Sequence, residues 1–372
     1  MAGKSGRSIN AEQKITAKKL LFTWEGALVV LFILVNIFNM NISQSYTFAN
    51  VLREMPKYLA EMFMVLPMAY ILVLGDIDIS VGSIVCLTGT LTCYISNAGA
   101  PFPIVILGCL AAGLICGVIN GSIATSFPEL PSMITTLGTQ IIFRGIAEIS
   151  LGGGGSVAYN NTKQIMPLST KLGKTVPVII LVVLVIAIIF TVVLQLTTFG
   201  RSLYAIGSNK TSAFYAGVDV QKCRFIAYVL MGLMASMCGL FLTAYTYGAN
   251  TTTGQGFEME VIAMCVFGGI ASTGGKGTLI GGIIAGLIIT LLRIALGQAN
   301  VNSQMILVIV GALLIIAVLI PGIKGKIDEM KKLRAAAEAL ISRLRRQLLP
   351  EGEAESNIYI IVMWIYTLNP YG

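Results

Sequence analysis

The sequence predicts an all-α, polytopic membrane protein of about ten transmembrane helices. Three observations predict it. Hydrophobic residues make up 56% of the 372-residue chain and charged residues only 11%. The mean hydropathy is +0.84. The apolar residues fall in long continuous runs. A water-soluble domain carries about 25% charged residues, so this composition cannot clothe a soluble surface. Disorder, a disulfide scaffold and a soluble enzyme are excluded. A porin-type barrel is excluded too, because its strands alternate apolar and polar residues.

A bilayer core of about 30 Å needs about 20 apolar residues per helix. Read on that rule, the spans fall at about 22–40, 58–75, 79–96, 103–127, 132–150, 176–197, 225–246, 258–271, 278–297 and 304–321. Pro67 predicts a kink in the second. The fifth is weaker because it carries Arg144 and Glu148, and the eighth is short. The sixth holds no charge at all.

Lysine and arginine placement sets the orientation. With the N-terminus inside and ten spans, 18 basic residues face the cytoplasm and five (Arg53, Lys57, Lys163, Lys171 and Lys174) lie in outer loops. Both termini are therefore expected on the cytoplasmic side. This bias also accounts for the +8 net charge without nucleic acid. The first apolar run has no small-residue cleavage site after it and reads as a retained helix. The seven cysteines lie mostly in apolar runs and read as small buried hydrophobes. Gly113, Gly117 and Gly121, and Gly282 with Gly286, form GxxxG steps expected to be packing seams.

Absences narrow the chemistry. There is no histidine, so no histidine metal site, general base or proton relay is expected. No catalytic constellation, metal site or cofactor site is found, and the chain is not expected to be an enzyme. Gly268–Thr278, GGIASTGGKGT, resembles a phosphate-binding loop but fails its pattern: Ile270 and Gly277 stand where Gly and Ser or Thr are needed. It reads as a tight cytoplasmic turn between two helices, carried by Gly268, Gly269, Gly274, Gly275 and Gly277. Gly75–Ser83, GDIDISVGS, places Asp76 and Asp78 at the end of an apolar run. Intramembrane acids are costly and usually functional. No second aspartate lies in any later span, which excludes an aspartyl protease. The segment reads as a helix break, with Asp78 or Ser80 capping the next helix, and as a shaper of a translocation path. Glu61, Arg144, Glu148, Glu258, Glu260 and Arg293 also sit in or near spans, where they pair across helices or face an aqueous cavity.

The stretch from Thr197 to Arg224 is long, basic and cytoplasmic. Lys210–Tyr215 predicts a short helix capped by Asn209 or Ser208 and ended by Gly217, with Tyr204, Phe214 and Tyr215 available to a cytoplasmic partner. At this length an ordered, functional loop is favoured. From Asp328 to Leu349 apolar residues recur at helical spacing with basic residues on the other face, which predicts an interfacial or partner-facing helix. The later run IYIIVMWIYTL is too short to span. The chain thus divides into a basic N-terminus (1–20), a transmembrane domain (21–325) and a cytoplasmic tail (326–372).

Four motifs resemble the membrane permease subunit of the ribose-type monosaccharide ABC importers, over about residues 20–325. Gly75–Ser83 is similar to G-G-I-D-L-S-V-G-S, with Asp76 in place of the second glycine and Ile79 in place of leucine. Pro131–Thr139 with Phe143, Arg144 and Gly145 resembles P-x-F-I-x-T-L-G-T…F-R-G, with Met133 at the aromatic position. Thr198–Gly217 resembles T-x-F-G-R-x-L-Y-A-I-G-x-N…A-x-x-x-G. Gly256–Gly277 resembles G-x-E-L-x-x-I-A…G-G-x-S-x-x-G-G-x-G-T, with Glu258 on the glutamate. The wording is nearest to permeases for rhamnose and furanosyl signalling sugars.

The resemblance implies a type II ABC importer-like permease fold in the bacterial inner membrane. It implies two permease subunits, the second being another copy or a sister chain. It also implies a cytoplasmic ATPase dimer, an extracytoplasmic sugar-binding protein and surrounding lipid. Gly200, Arg201, Tyr204, Gly207, Asn209, Ala213 and Gly217 would form the region that couples to the ATPase. Asp76, Asp78, Ser80, Thr136, Thr139 and Glu258 are the candidates for the path. The alternative is a secondary sugar transporter driven by an ion gradient. Such carriers typically have twelve spans in two similar halves, whereas ten spans and no clear repeat are found here.

Overall fold

In the computed structural model, residues 24–302 are described apart from 170 and 173–175, together with parts of 304–342. The basic N-terminus (1–20), much of the tenth expected span and the tail beyond 342 lie outside the described residues. The chain divides into two compact units between residues 314 and 315. In the second, residues 330–340 form a helix with every side chain exposed, within the stretch whose periodicity predicts one.

The first unit is helical, with four minimal strands. In order its elements are α1 (Trp24–Ile42), α2 (Phe48–Leu59), α3 (Met62–Leu74), α4 (Val81–Asn97), α5 (Phe102–Ser126) and α6 (Ser132–Leu151). Then come β1 (Ser156–Ala158), α7 (Thr162–Ser169), β2 (Lys171–Leu172), β3 (Val176–Pro177) and α8 (Val178–Leu196). The order closes with α9 (Thr198–Ser208), α10 (Lys210–Tyr215), α11 (Val220–Thr246), β4 (Gly248–Asn250), α12 (Phe257–Phe267) and α13 (Leu279–Gln298). Antiparallel pairs β1–β4 and β2–β3 are the strand pairings among the described residues.

Each of the first nine expected spans falls on a helix or, for the second, on a bent pair. By length and composition α1, α5, α8, α11 and α13 are long and apolar enough to cross a membrane, and α2 with α3 makes a sixth, bent by 51°. The shorter α4 and α12 and the more polar α6 complete the set of long elements.

The expected kink at Pro67 is corrected. The break comes earlier, at Ala60 and Glu61, and Pro67 lies inside a continuous α3. Every residue of α3 is buried, so packing on all sides offsets the backbone bond that proline forfeits. Glu61 instead turns aside to Arg293 of α13, Nη1 to Oε1 at 3.0 Å, while Arg293 Nη2 lies 2.6 Å from Glu260 Oε2 of α12.

Around α3 the helices α4, α11 and α13 are also mostly buried, whereas α5 and α8 bury one stripe each. α5 buries Val105, Cys109, Gly113, Cys116, Gly117, Asn120, Gly121 and Ala124, a three-to-four residue period. Its other face exposes Ile104, Leu107, Ile115 and Ile119. α8 does the same with Ile179, Val183, Ala187, Phe190 and Leu194 inside. The GxxxG seam closes on α11: a Cβ at Gly113 would strike the Gly232 carbonyl, and one at Gly117 would lie 2.7 Å from the Tyr228 carbonyl. Only glycine permits that backbone approach. All seven cysteines are free and buried.

The two ends of this unit differ. At one end the last turn of α4, the start of α5, α7, β1 and β4 form a small core of Cys93, Tyr159, Ile165, Ala244 and Ala249. At the other end lie α9, α10, the start of α11 and the turn between α12 and α13.

Candidate functional site

Three of the segments singled out in the sequence meet at this second end. α3 stops at Gly75, whose φ of +83° places it in the left-handed region, where glycine carries no Cβ penalty. The Gly275 amide donates to the Val73 carbonyl at 2.8 Å. Gly207 of α9 lies against both: a Cβ there would strike the Val73 carbonyl and lie 2.5 Å from the Gly275 nitrogen. Gly274 approaches Gly75 from the other side, and Gly275 packs on Ser208. The end of the helix break, the basic segment and the glycine-rich turn therefore form one junction of backbone on backbone.

The remaining residues of the basic segment fit around this junction. Thr197 caps α9, accepting from the Gly200 amide at 3.3 Å, and Gly200 packs directly on Leu194. Tyr204 donates its hydroxyl to the Gly277 carbonyl at 2.7 Å. Burial raises its phenol above the ordinary value, so it remains a donor. Asn209 caps α10 by accepting from the Ser212 amide at 2.9 Å, as the sequence predicts. Ala213 is buried under α10. Gly217 takes φ +83° just beyond that helix. Arg201, Phe214 and Tyr215 are exposed. In the glycine-rich turn, Gly268 packs on Gly282 and Gly269 on Trp24, and Gly269, Gly274, Gly275 and Gly277 all have positive φ.

The break itself is held by polar side chains. The last turn of α3 still takes the amides of Gly75 and Asp76, and α6 supplies acceptors for those of Ile77 and Ile79. The Ile77 amide donates to Ser132 Oγ and the Ile79 amide to Thr136 Oγ1, both at 3.1 Å. Thr139, one turn on, donates to the Thr136 carbonyl at 3.1 Å. Asp78 accepts from the Ser80 amide at 2.9 Å and from its hydroxyl at 2.7 Å. Asn120 of α5 donates to the same hydroxyl at 2.7 Å. Asp78 thus closes a turn onto Ser80. The Ser80 side chain makes no helix-capping bond of its own. Asp76 meets Arg224 of α11.

Glu258 has partners other than those of the two aspartates. It lies near the N-terminus of α12, accepts from Gln140 Nε2 at 3.3 Å and packs against Gly82. Close by, Arg144 donates to the carbonyls of Thr251 at 3.1 Å and Thr253 at 2.8 Å, and to that of Gly82 at 3.3 Å. Glu148 is exposed. Sequence reasoning missed Ser132, Asn120, Tyr228 and the particular role of Arg224. Each is an ordinary residue of a helix or loop along the chain, and Arg224 counted only towards the charge bias. Among the described residues no cluster of side chains suits a metal ion.

The arrangement is a helical membrane body with a polar break after α3 and a surface segment locked to the end of that helix. A family model described as the permease component of branched-chain amino acid transport systems matches residues 49–318. The chain belongs to this family of ABC importer permeases. It is 34% identical to the D-allose transport system permease protein of Escherichia coli (strain K12), over 67% of this chain and 76% of the relative. It is 33% identical to the ribose import permease protein of Bacillus subtilis (strain 168), over 79% and 90%. It is 32% identical to an autoinducer 2 import system permease protein of Escherichia coli O9:H4 (strain HS), over 68% and 78%. No solved structure matches the chain. The ribose-type resemblance read from the motifs is in accord with these relatives, which are transport subunits. The chain is therefore a multi-pass permease of the bacterial inner membrane, of a family that works with an ATPase and a substrate-binding protein.

Proposed function

We propose that the chain is the membrane subunit of a monosaccharide importer. It forms the path for a ribose-, allose- or rhamnose-like sugar and is driven by a separate cytoplasmic ATPase dimer. An extracytoplasmic binding protein delivers the sugar, and a second permease, identical or related, completes the path. The sugar class follows the relatives, which are named for ribose, D-allose and autoinducer 2. Both termini lie on the cytoplasmic side, in keeping with the charge bias. Residues 21–325 carry the transport function, and 326–372 form a cytoplasmic tail.

In this reading Gly200, Arg201, Tyr204, Gly207, Asn209, Ala213 and Gly217 make up the segment that receives motion from the ATPase. One observation carries it: the direct backbone contact of Gly207 with Val73 and Gly275. A push on α9 has no flexible side chain to absorb it and passes straight to the end of α3. The glycine-rich turn at Gly268, Gly269, Gly274, Gly275 and Gly277 is the bearing in which α9 sits. Asp76, Asp78, Ser80, Thr136 and Thr139 line the path at the break, with Glu258 farther along it. The coupling is mechanical and requires a helix packing with two arrangements that both partners bias.

The test is sugar uptake into proteoliposomes, with ATPase and binding protein supplied together and then omitted in turn. Uptake that requires ATP and both partners is expected. Uptake by the chain alone, following a proton or sodium gradient, would overturn the proposal in favour of a secondary carrier.

A further inference from the structure

This inference rests on the permease reading above and concerns two side chains. Arg224 is the fifth residue of α11, which Asp219 caps. Its guanidinium meets Asp76 at two points, Nε to Oδ2 at 2.6 Å and Nη2 to Oδ1 at 3.0 Å, and Nη1 donates to the Ala124 carbonyl at 2.7 Å. The two side chains are 7% and 14% exposed. A forked guanidinium–carboxylate contact is the strong and directional form of such a pair. It joins the break after α3, the last turns of α5 and the start of α11.

What lies on either side gives the pair its meaning. Toward the coupling segment there is an open cleft of about 610 Å³, lined by Thr125, Lys210, Phe214, Gly217 and Asp219 with Arg224 itself. Away from it lies a buried polar layer. Asp78 Oδ2 and Asn120 Oδ1 are fully buried there and have no hydrogen-bond partner among the described residues. The hydroxyl of Tyr228, one turn along α11 from Arg224, is likewise buried and without a hydrogen-bond partner among the described residues. A buried polar atom left without a partner is costly. Three of them, on Asp78, Asn120 and Tyr228, fit a region that is wetted, or occupied by solute hydroxyls, in another arrangement of the same helices. A buried ion pair adds little net stability after desolvation, and its best-attested use is to fix one arrangement against another.

We propose that Asp76 and Arg224 are the inner latch of the translocation path. Paired, they seal the polar layer from the coupling end. When α9 and α10 move, the start of α11 shifts, the fork parts and the layer opens toward the ATPase side. Both are positioning residues: they gate the path and need not touch the sugar.

The experiment uses the full transporter in proteoliposomes, with a chain carrying Cys223→Ser and the reporter Ile79→Cys, labelled from the ATPase side with a membrane-impermeant maleimide. Slow labelling is expected of this parent without nucleotide. Asp76→Asn and Arg224→Gln should each speed labelling about tenfold as the open population grows, and should raise ATP hydrolysis in the absence of sugar. Asp76→Arg combined with Arg224→Asp should restore slow labelling. If a single variant does not assemble with the ATPase, Arg224→Lys replaces it; this change keeps the charge, loses the fork and should label at an intermediate rate. Unchanged labelling in the single variants overturns the latch, as do fast labelling of the parent and fast labelling of the swapped pair. Uptake by the parent complex reads out separately. Its absence sinks the importer reading, whereas normal uptake with unchanged labelling sinks the latch alone.

Discussion

A methyl group added at Gly207 would fall within contact distance of the Val73 carbonyl and the Gly275 nitrogen. Both are backbone, so neither can swing aside. Overpacking of this kind costs about 1–3 kcal/mol. We expect Gly207→Ala to lower the thermal midpoint of the purified protein and to reduce ATP-driven uptake more than it reduces sugar-independent ATP hydrolysis. Gly138 provides the contrast. It sits on the exposed face of α6, and a Cβ there would meet nothing within 4 Å. In a helix interior alanine is favoured over glycine by about 0.5–1 kcal/mol, so Gly138→Ala should be neutral or slightly stabilising by the same melt. Both lie within helices, and what separates them is the neighbour each meets in space. Tyr204 belongs at this scale too. Tyr204→Phe removes the bond to the Gly277 carbonyl, worth about 1 kcal/mol, and should weaken uptake while leaving the amount of folded protein unchanged.

Between elements, the group formed by Glu61, Arg293 and Glu260 ties the α2–α3 break to α12 and α13. Removing the arginine leaves two buried carboxylates facing each other, a loss of about 3–5 kcal/mol by analogy with other broken buried pairs. Arg293→Met should therefore fail to yield stable protein in detergent, while Glu61→Gln, which leaves Arg293 paired with Glu260, should cost distinctly less by thermal melt. Equal midpoints for the two variants would refute this account. The elements themselves were largely legible. α10 and its Asn209 cap, the break after Gly75 and the turn from Gly268 to Thr278 all follow from local chemistry. The bend near Ala60 was not legible. Pro67 offered a stronger local signal, and the true break is set by a partner 232 residues away.

At the scale of the whole molecule, the faces of α5, α6 and α8 turned away from the core are almost wholly apolar, a surface suited to lipid and not to water. A lysine at the centre of such a face costs about 2.5–3.5 kcal/mol on insertion, whereas one near a helix end reaches the interface. Ile188→Lys should lower the membrane-integrated fraction of newly made chain well below that of Gln195→Lys. Equal fractions would show that α8 does not face lipid. The sequence by itself determined the class of protein, the positions of the apolar helices and the segments that carry the family resemblance. Hydropathy, capping and turn chemistry are sums over neighbouring residues, so they can be read in one dimension. Only the tertiary structure decided that Gly75, Gly207 and Gly275 share one junction, that Asp76 faces Arg224 and that Gln140 donates to Glu258. Those relations join residues far apart in the chain, and a charge or a glycine carries no local mark of the partner that packing will bring to it.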